Sequence, residues 1–253
     1  MTLLAVQNLT KVYTGRDGAF TADKDFSFSL ESGESVGVLG LSGCGKSTLA
    51  RMIMGMVMPT SGTVLFRDKP VDWRSEAACK AYYGKVQMVF QDALSSFHPL
   101  YTVGRSVTKA LENYGVAPAE AAERAAAAFA AVGLTEGHLH KHPAELSGGE
   151  GQRAGIARAL ALRPELIVCD EVSSALDTLS QEQLTRVLQQ VRRQGTALLL
   201  ISHDIAFLEQ LCDRLLVMDA GRIVEAGKTE EILRHPAAPR TRSLIRMAAR
   251  LTL

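Results

Sequence analysis

The sequence predicts an α/β fold: a mainly parallel sheet covered by helices, an N-terminal antiparallel β portion and an inserted helical subdomain. Three observations predict it. Short apolar runs alternate with segments of helical period along most of the chain. A complete G-x-x-x-x-G-K-[ST] run sits where one such strand should hand over to a helix. From Asp92 to about Glu145 the character changes to Ala-rich, helical in period and poor in β-branched runs.

The elements follow in order. Leu3–Leu9 and Phe26–Leu30 alternate as strands, and Val36–Leu39 is a short buried strand. A helix is expected from Lys46 to about Met56. Pro59-Thr60-Ser61-Gly62 reads as a turn before strand Thr63–Phe66, and Val86–Phe90 is a further strand. After the helical insert come helix Gln152–Leu162, strand Leu166–Cys169, helix Ser180–Arg193 and strands Ala197–Ile201, Leu215–Met218 and Ile223–Glu225. The expected division is a core of 1–91 and 152–253 with an insert of about 92–151.

Composition narrows the classes. A net charge of +1 argues against a broad nucleic-acid surface. No apolar run approaches bilayer length, and the N-terminus lacks the pattern of a signal peptide, so a membrane role is expected to come through a partner. Cys44, Cys79, Cys169 and Cys212 form no C-x-x-C pair, so they read as reduced thiols rather than a metal cluster.

Gly40-Leu41-Ser42-Gly43-Cys44-Gly45-Lys46-Ser47 is the chemical centre of the reading. Its glycines let backbone N–H groups turn inward around phosphates, and a helix N-terminus adds positive potential. Lys46 is expected on the β- and γ-phosphates and Ser47 on Mg²⁺. The nucleotide-binding set is Gly40, Ser42, Gly43, Cys44, Gly45, Lys46, Ser47 and Thr48, making the core a phosphate-loop NTPase. The bland alternative is a glycine-rich turn that binds nothing.

Other strand ends carry matching chemistry. Val86–Phe90 ends at Gln91, Leu166–Cys169 at Asp170-Glu171, and Ala197–Ile201 at Ser202-His203-Asp204. Ligands in parallel sheets bind beyond the carboxyl ends of strands. Asp170 is expected on the Mg²⁺ side, with Glu171 facing the other way as general base. His203 would sense the γ-phosphate, and Gln91 would contact Mg²⁺ or the water. The alternatives are a solvated acidic turn, a histidine closing a strand and a polar strand cap. Leu146-Ser147-Gly148-Gly149-Glu150 opens a helix as a second anion site. One ATP does not need two such loops from one chain, so this loop is expected to serve an ATP held by a second subunit.

Taken together and in this order, these motifs resemble those of the ATP-binding-cassette (ABC) ATPases over nearly the whole chain. The resemblance implies ATP and Mg²⁺ as cofactors, with Ser147, Gly148 and Gly149 meeting the partner's nucleotide in a head-to-tail homo- or heterodimer. It further implies that Tyr13 stacks on adenine, although Tyr13 also fits a core-edge aromatic. The loop Ser174-Ala175-Leu176-Asp177 is a further family element, which puts Asp177 in the nucleotide set. Transmembrane permease subunits and, indirectly, an extracytoplasmic solute-binding protein are implied partners, with no nucleic acid. The implied location is the cytoplasmic face of the inner membrane.

A narrower resemblance lies in Phe90-Gln91-Asp92-Ala93-Leu94-Ser95-Ser96-Phe97-His98-Pro99 and in His235-Pro236 followed by Thr241 and Leu244. Both are similar to the dipeptide, oligopeptide and nickel importers. The missing cysteine-bearing tail leans toward nickel or another chelated transition metal ahead of peptides. Val172 and Gly151 depart from the family's usual proline and glutamine without removing chemistry. Phe97, Pro99, Leu100 and Tyr101 are expected to receive a helix end from the permease, or, for Phe97 and Leu100, to pack the insert. His138, His140 and His142 lack the i, i+4 spacing of helical metal ligands, and read as solvated loop histidines. Two other functions compete. A soluble cassette ATPase on nucleic acid or ribosomes would bring coiled-coil or zinc modules. A non-catalytic partner would have a damaged Lys46, Glu171 or His203.

Overall fold

The structure, a computed structural model, describes residues 1–15, 18–174 and 176–251. In chain order its elements are β1 (Thr2–Gly15), β2 (Gly18–Glu31), β3 (Ser35–Leu39), α1 (Lys46–Ile53), β4 (Ser61–Phe66), β5 (Lys69–Pro70), α2 (Glu76–Tyr83), β6 (Val86–Val89), α3 (Val103–Asn113), α4 (Pro118–Ala131), α5 (Glu136–Leu139), α6 (Gly148–Ala161), β7 (Leu166–Asp170), α7 (Thr178–Arg193), β8 (Ala197–Ser202), α8 (Ile205–Leu211), β9 (Arg214–Asp219), β10 (Arg222–Lys228), α9 (Thr229–Arg234) and α10 (Pro239–Leu251). Contacts divide the chain into two compact units, Met1–Tyr82 with Ala197–Leu253, and Tyr83–Thr196. The sequence predicts an insert of about 92–151. The second unit is wider because β6 and β7 pair in parallel with each other and go with the helices between them.

The first unit holds an antiparallel sheet in the order β2-β1-β4-β5. It also holds β3, which pairs in parallel with both β8 and β9, while β10 pairs antiparallel to β9. β3 and β8 are buried at every position. That is why they read as unbroken apolar runs: a parallel strand covered on both faces has no solvent side to alternate toward. Helix α1 is shorter than expected. Gly55, at φ 64, and Met54 end it after Ile53, as a left-handed glycine past a helix end does.

Among the described residues of this unit, Asp23 on β2 is the charged group that burial leaves in difficulty. It is 0% exposed, and neither carboxylate oxygen has a hydrogen-bond partner. Burial pushes its pKa from 3.8 up to about 7. Below about pH 4 both folded and unfolded chains carry the proton. From there to about pH 7 the unfolded chain ionises and the folded chain does not, so stability falls as pH rises and stays low above 7. The loss is on the order of 4 kcal/mol. Asp23→Asn removes it, so its melting temperature should exceed wild type at pH 8 and approach it near pH 5. Parallel melting curves across that range would show that Asp23 is not buried as a lone acid.

In the second unit, α4 packs against both α3 and α6, with Val107, Leu111, Ala125, Phe129 and Ile156 in the core between them. Thr102 caps α3 by accepting from Arg105 N. Helix α6 starts at Gly148, four residues before the expected Gln152. Ser147 and Glu150 form a capping box whose S-x-x-E pattern was present in the sequence. Gly151 is explained by packing, because a Cβ there would come within 2.5 Å of Leu94.

Candidate functional site

In the first unit, the loop from Gly40 to Gly45 leaves β3 and enters α1. Gly43 and Gly45 have φ of 81° and 109°, backbone that side chains rarely adopt, and Gly45 is the N-cap of α1 with no side chain supplying the cap. Lys46 is 5% exposed, and its Nζ donates to Gly40 O at 2.8 Å and Leu41 O at 3.1 Å. The ammonium thus ties the loop to itself and holds its curvature. Burial pushes the Cys44 thiol up, so Cys44 is packing rather than a nucleophile.

β8 lies beside β3 in parallel, with Ser202 opposite Leu39. The turn carrying His203 therefore leaves the same edge as the phosphate loop, and His203 is exposed there. Tyr13 is 41% exposed, with Lys11 Nζ 5.0 Å from its ring centroid. Lys11 is itself anchored by donating to Met58 O at 2.8 Å.

The second unit repeats the arrangement. β6 and β7 are parallel with Val89 opposite Cys169, so Gln91 and Asp170-Glu171 leave one edge together. β7 stops at Asp170, and Glu171 has φ 50°. The alternation that was to send the two carboxylates to opposite faces therefore ends at Asp170, and a left-handed turn residue sets the direction of Glu171. Such a conformation costs a non-glycine residue on the order of 1 kcal/mol. Asp170 and Glu171 are 6% and 9% exposed. Gln91 Nε2 donates to Ser174 Oγ at 3.2 Å, and Ser174 Oγ donates to Glu171 O at 2.9 Å, which braces the turn. Gln152 on α6 donates to Gln91 O at 2.6 Å. The Gln91 loop is thus hydrogen-bonded both to the Glu171 turn and to the helix that Ser147 opens.

Asp177 caps α7, accepting from Ser180 N at 3.0 Å and Ser180 Oγ at 2.7 Å. Those bonds hold its carboxyl below the usual carboxylate range. Ala175, inside the expected family loop, lies outside the described residues. In the loop of residues 146–150, the signature motif of the resemblance above, Ser147 N donates to Glu150 Oε2 at 2.8 Å and Ser147 Oγ accepts from Glu150 N at 3.3 Å. The Ser147 backbone N–H and then the His138 ring hold Glu150 down at about 2.

One expectation is corrected and one alternative is decided. His138 is not a solvated loop histidine: its side chain is 17% exposed and bonded to Glu150. His140 and His142 are exposed, and no group of three or more His, Cys, Asp or Glu suited to a metal occurs among the described residues. Phe97 is 5% exposed, packed under the Arg158 guanidinium at 4.9 Å, so it belongs to the interior of its unit. Leu100 is 78% exposed, and Tyr101 stacks on His98 at 4.4 Å.

The phosphate loop, held by its lysine beside the strand that carries His203, defines a phosphate-loop nucleotide-binding protein. A family model described as ABC transporter matches residues 24–174. The chain is 40% identical over 255 residues to a probable peptide ABC transporter ATP-binding protein of Sinorhizobium fredii, covering 97% of this chain and 72% of that one. It is 43% identical over 225 residues to the oligopeptide transport ATP-binding protein OppF of Escherichia coli, covering 85% and 66%. Among solved structures it matches cbiO1 of Clostridium perfringens, part of the ABC transporter complex cbiONQ, with TM-score 0.82 and 27% identity over 100% of this chain and 99% of that one. It also matches a dimeric ATP-binding cassette in a post-hydrolysis state bound to ADP and Pi, with TM-score 0.82 and 27% identity over 90% and 99%. The chain belongs to the ABC transporter family and is one of its ATPases.

Proposed function

We propose that this chain is the ATP-hydrolysing subunit of an importer for peptides or oligopeptides. The relatives at 40% and 43% identity are named for peptide and oligopeptide transport, which supports that cargo. The preference for nickel, drawn from a missing tail, has no counterpart in those names and is set aside. Among the described residues no helix is long and apolar enough to cross a membrane. Permease subunits therefore supply the channel in this reading, a solute-binding protein delivers the peptide, and the chain works at the cytoplasmic face of the membrane. Exposed Leu100 and Tyr101, after the Gln91 loop, are suited to receiving a permease helix end.

The observation that carries the reading is the phosphate loop held closed by Lys46. Lys46 and the loop N–H groups bind the β- and γ-phosphates, Tyr13 takes the base, and His203 reads the γ-phosphate. Glu171 takes the proton of the attacking water, and Gln91 orients that water. Hard oxygen donors of the kind that suit Mg²⁺ are the Ser47 hydroxyl in the first unit and, in the second, the Gln91 amide and the Asp170 carboxylate. Mg²⁺, when bound, neutralises charge developing on the phosphates. Ser147, Gly148 and Gly149 act on the nucleotide held by a second ATPase subunit, and Asp177 is a further nucleotide contact.

Ser147→Arg tests the trans role, because it puts a long cation into the proposed seam. Turnover of the assembled transporter should fall by about 100-fold, a magnitude typical of losing a transition-state contact, while the isolated chain binds ATP as before. Equal loss of binding in the isolated chain would contradict the role across the seam.

A further inference from the structure

His138 lies outside every motif that the function absorbs, yet it is built into the signature loop. A backbone N–H has only a proton to offer. The Thr135 N–H points at His138 Nδ1 from 3.1 Å, so Nδ1 is the acceptor and the ring proton rides on Nε2. Thr135 Oγ1, 2.8 Å from the same nitrogen, adds a second hold on the ring. The Nε2–H then donates to Glu150 Oε1 at 3.0 Å. The other oxygen of that carboxylate, Oε2, accepts from Ser147 N at 2.8 Å. Ser147 Oγ spends a lone pair on Glu150 N, which leaves its hydroxyl proton to point elsewhere. Thr135, His138, Glu150 and Ser147 thus form one directed chain, with donor and acceptor roles fixed from end to end.

Glu150 has a second neighbour, Lys141, with Nζ at 3.7 Å from Oε1. That separation gives attraction without the direction of a hydrogen bond. The imidazole, held on both sides, is the group that fixes the rotation of the carboxylate.

We propose that His138 is a positioning residue for Ser147, holding Glu150 so that the Ser147 hydroxyl is presented, proton outward, to the terminal phosphate of the nucleotide on the second subunit. This rests on the reading that Ser147 works across the dimer. A capping box alone would stabilise α6 in any orientation of the outer carboxylate oxygen. The histidine adds control of orientation, and its loss should be felt in turnover rather than in folding or ATP binding.

The test uses the transporter complex purified with its permease subunits, carrying His138→Ala, His138→Gln or Ser147→Arg, with ATP as the probe. A charge-assisted hydrogen bond supports a loss of about threefold to tenfold in kcat for His138→Ala. The KM for ATP, the ATP affinity of the isolated chain and its melting temperature should stay near wild type. His138→Gln, whose amide N–H takes the place of Nε2–H, should restore kcat to within about twofold of wild type. Wild-type kcat in His138→Ala, with Ser147→Arg inactive, overturns the proposal and leaves the dimer reading standing. Equal losses in His138→Ala and His138→Gln, accompanied by a lower melting temperature, also overturn it, because they mark a merely structural role. Wild-type turnover in Ser147→Arg removes the dimer reading itself, and the proposal with it.

Discussion

Lys46→Ala should abolish ATP binding, or weaken it by about 100-fold or more, the scale of losing charge-assisted contacts to two phosphates. Lys46 has two tasks in one side chain. Its Nζ bonds the carbonyls of Gly40 and Leu41, which keeps the loop curved. With nucleotide the same ammonium is proposed to meet the β- and γ-phosphates, whose charge outcompetes neutral carbonyls. Alanine removes both, so the loop loses its internal tie and the phosphates lose their cation. The lysine is 5% exposed, so the variant's fold has to be checked by its melting curve beside the binding isotherm. A folded Lys46→Ala chain that binds ATP within a few-fold of wild type would remove the phosphate-loop assignment.

Glu171→Gln should bind ATP normally and lose hydrolysis by about 10²–10⁴-fold, the range for removing a general base. Glutamine keeps the size and hydrogen-bonding reach of the side chain, and it meets the same φ of 50° as glutamate. The backbone turn and its brace from Ser174 should therefore survive, and ATP should accumulate in the closed dimer. Asp170→Asn should differ, because it weakens the metal rather than the base. The two are told apart by Mg²⁺ titration of turnover: Asp170→Asn should shift the Mg²⁺ requirement upward and Glu171→Gln should not. Near wild-type turnover by Glu171→Gln in the assembled transporter would assign the base elsewhere.

What the sequence could disclose followed from local physics. β3, β7 and β8 were legible because strands buried on both faces leave unbroken apolar runs, as in Leu198-Leu199-Leu200-Ile201. The phosphate loop was legible because its glycines have a local backbone reason, seen at Gly43 and Gly45. Element ends were less so. The S-x-x-E box at Ser147 and Glu150 and the glycine at 55 are the local signals for the start of α6 and the end of α1, and apolar periodicity alone does not carry them.

Other features depend on distant packing and leave no local trace. Glu171 looked like the next residue of a strand, and only the turn to Ser174 puts it in left-handed backbone. His138 and Glu150 are 12 residues apart in a segment without a single period, so nothing in spacing joined them. Phe97 and Leu100 each fitted either a docking surface or the interior of the insert, and only Arg158, distant in sequence, decides it for Phe97 by covering its ring. Asp23 could not be seen as a buried acid, because it falls in a polar stretch, Asp23-Lys24-Asp25, that reads as solvated.

The central claim is that ATP hydrolysis by this chain drives uptake of peptide through a membrane partner. Its most direct measurement is accumulation of a labelled oligopeptide by cells lacking the gene, supplied with either the wild-type or the Glu171→Gln chain. Uptake should be lost on deletion, return with the wild-type chain and fail to return with Glu171→Gln at equal protein level. Uptake untouched by deletion, or restored in full by Glu171→Gln, would contradict it.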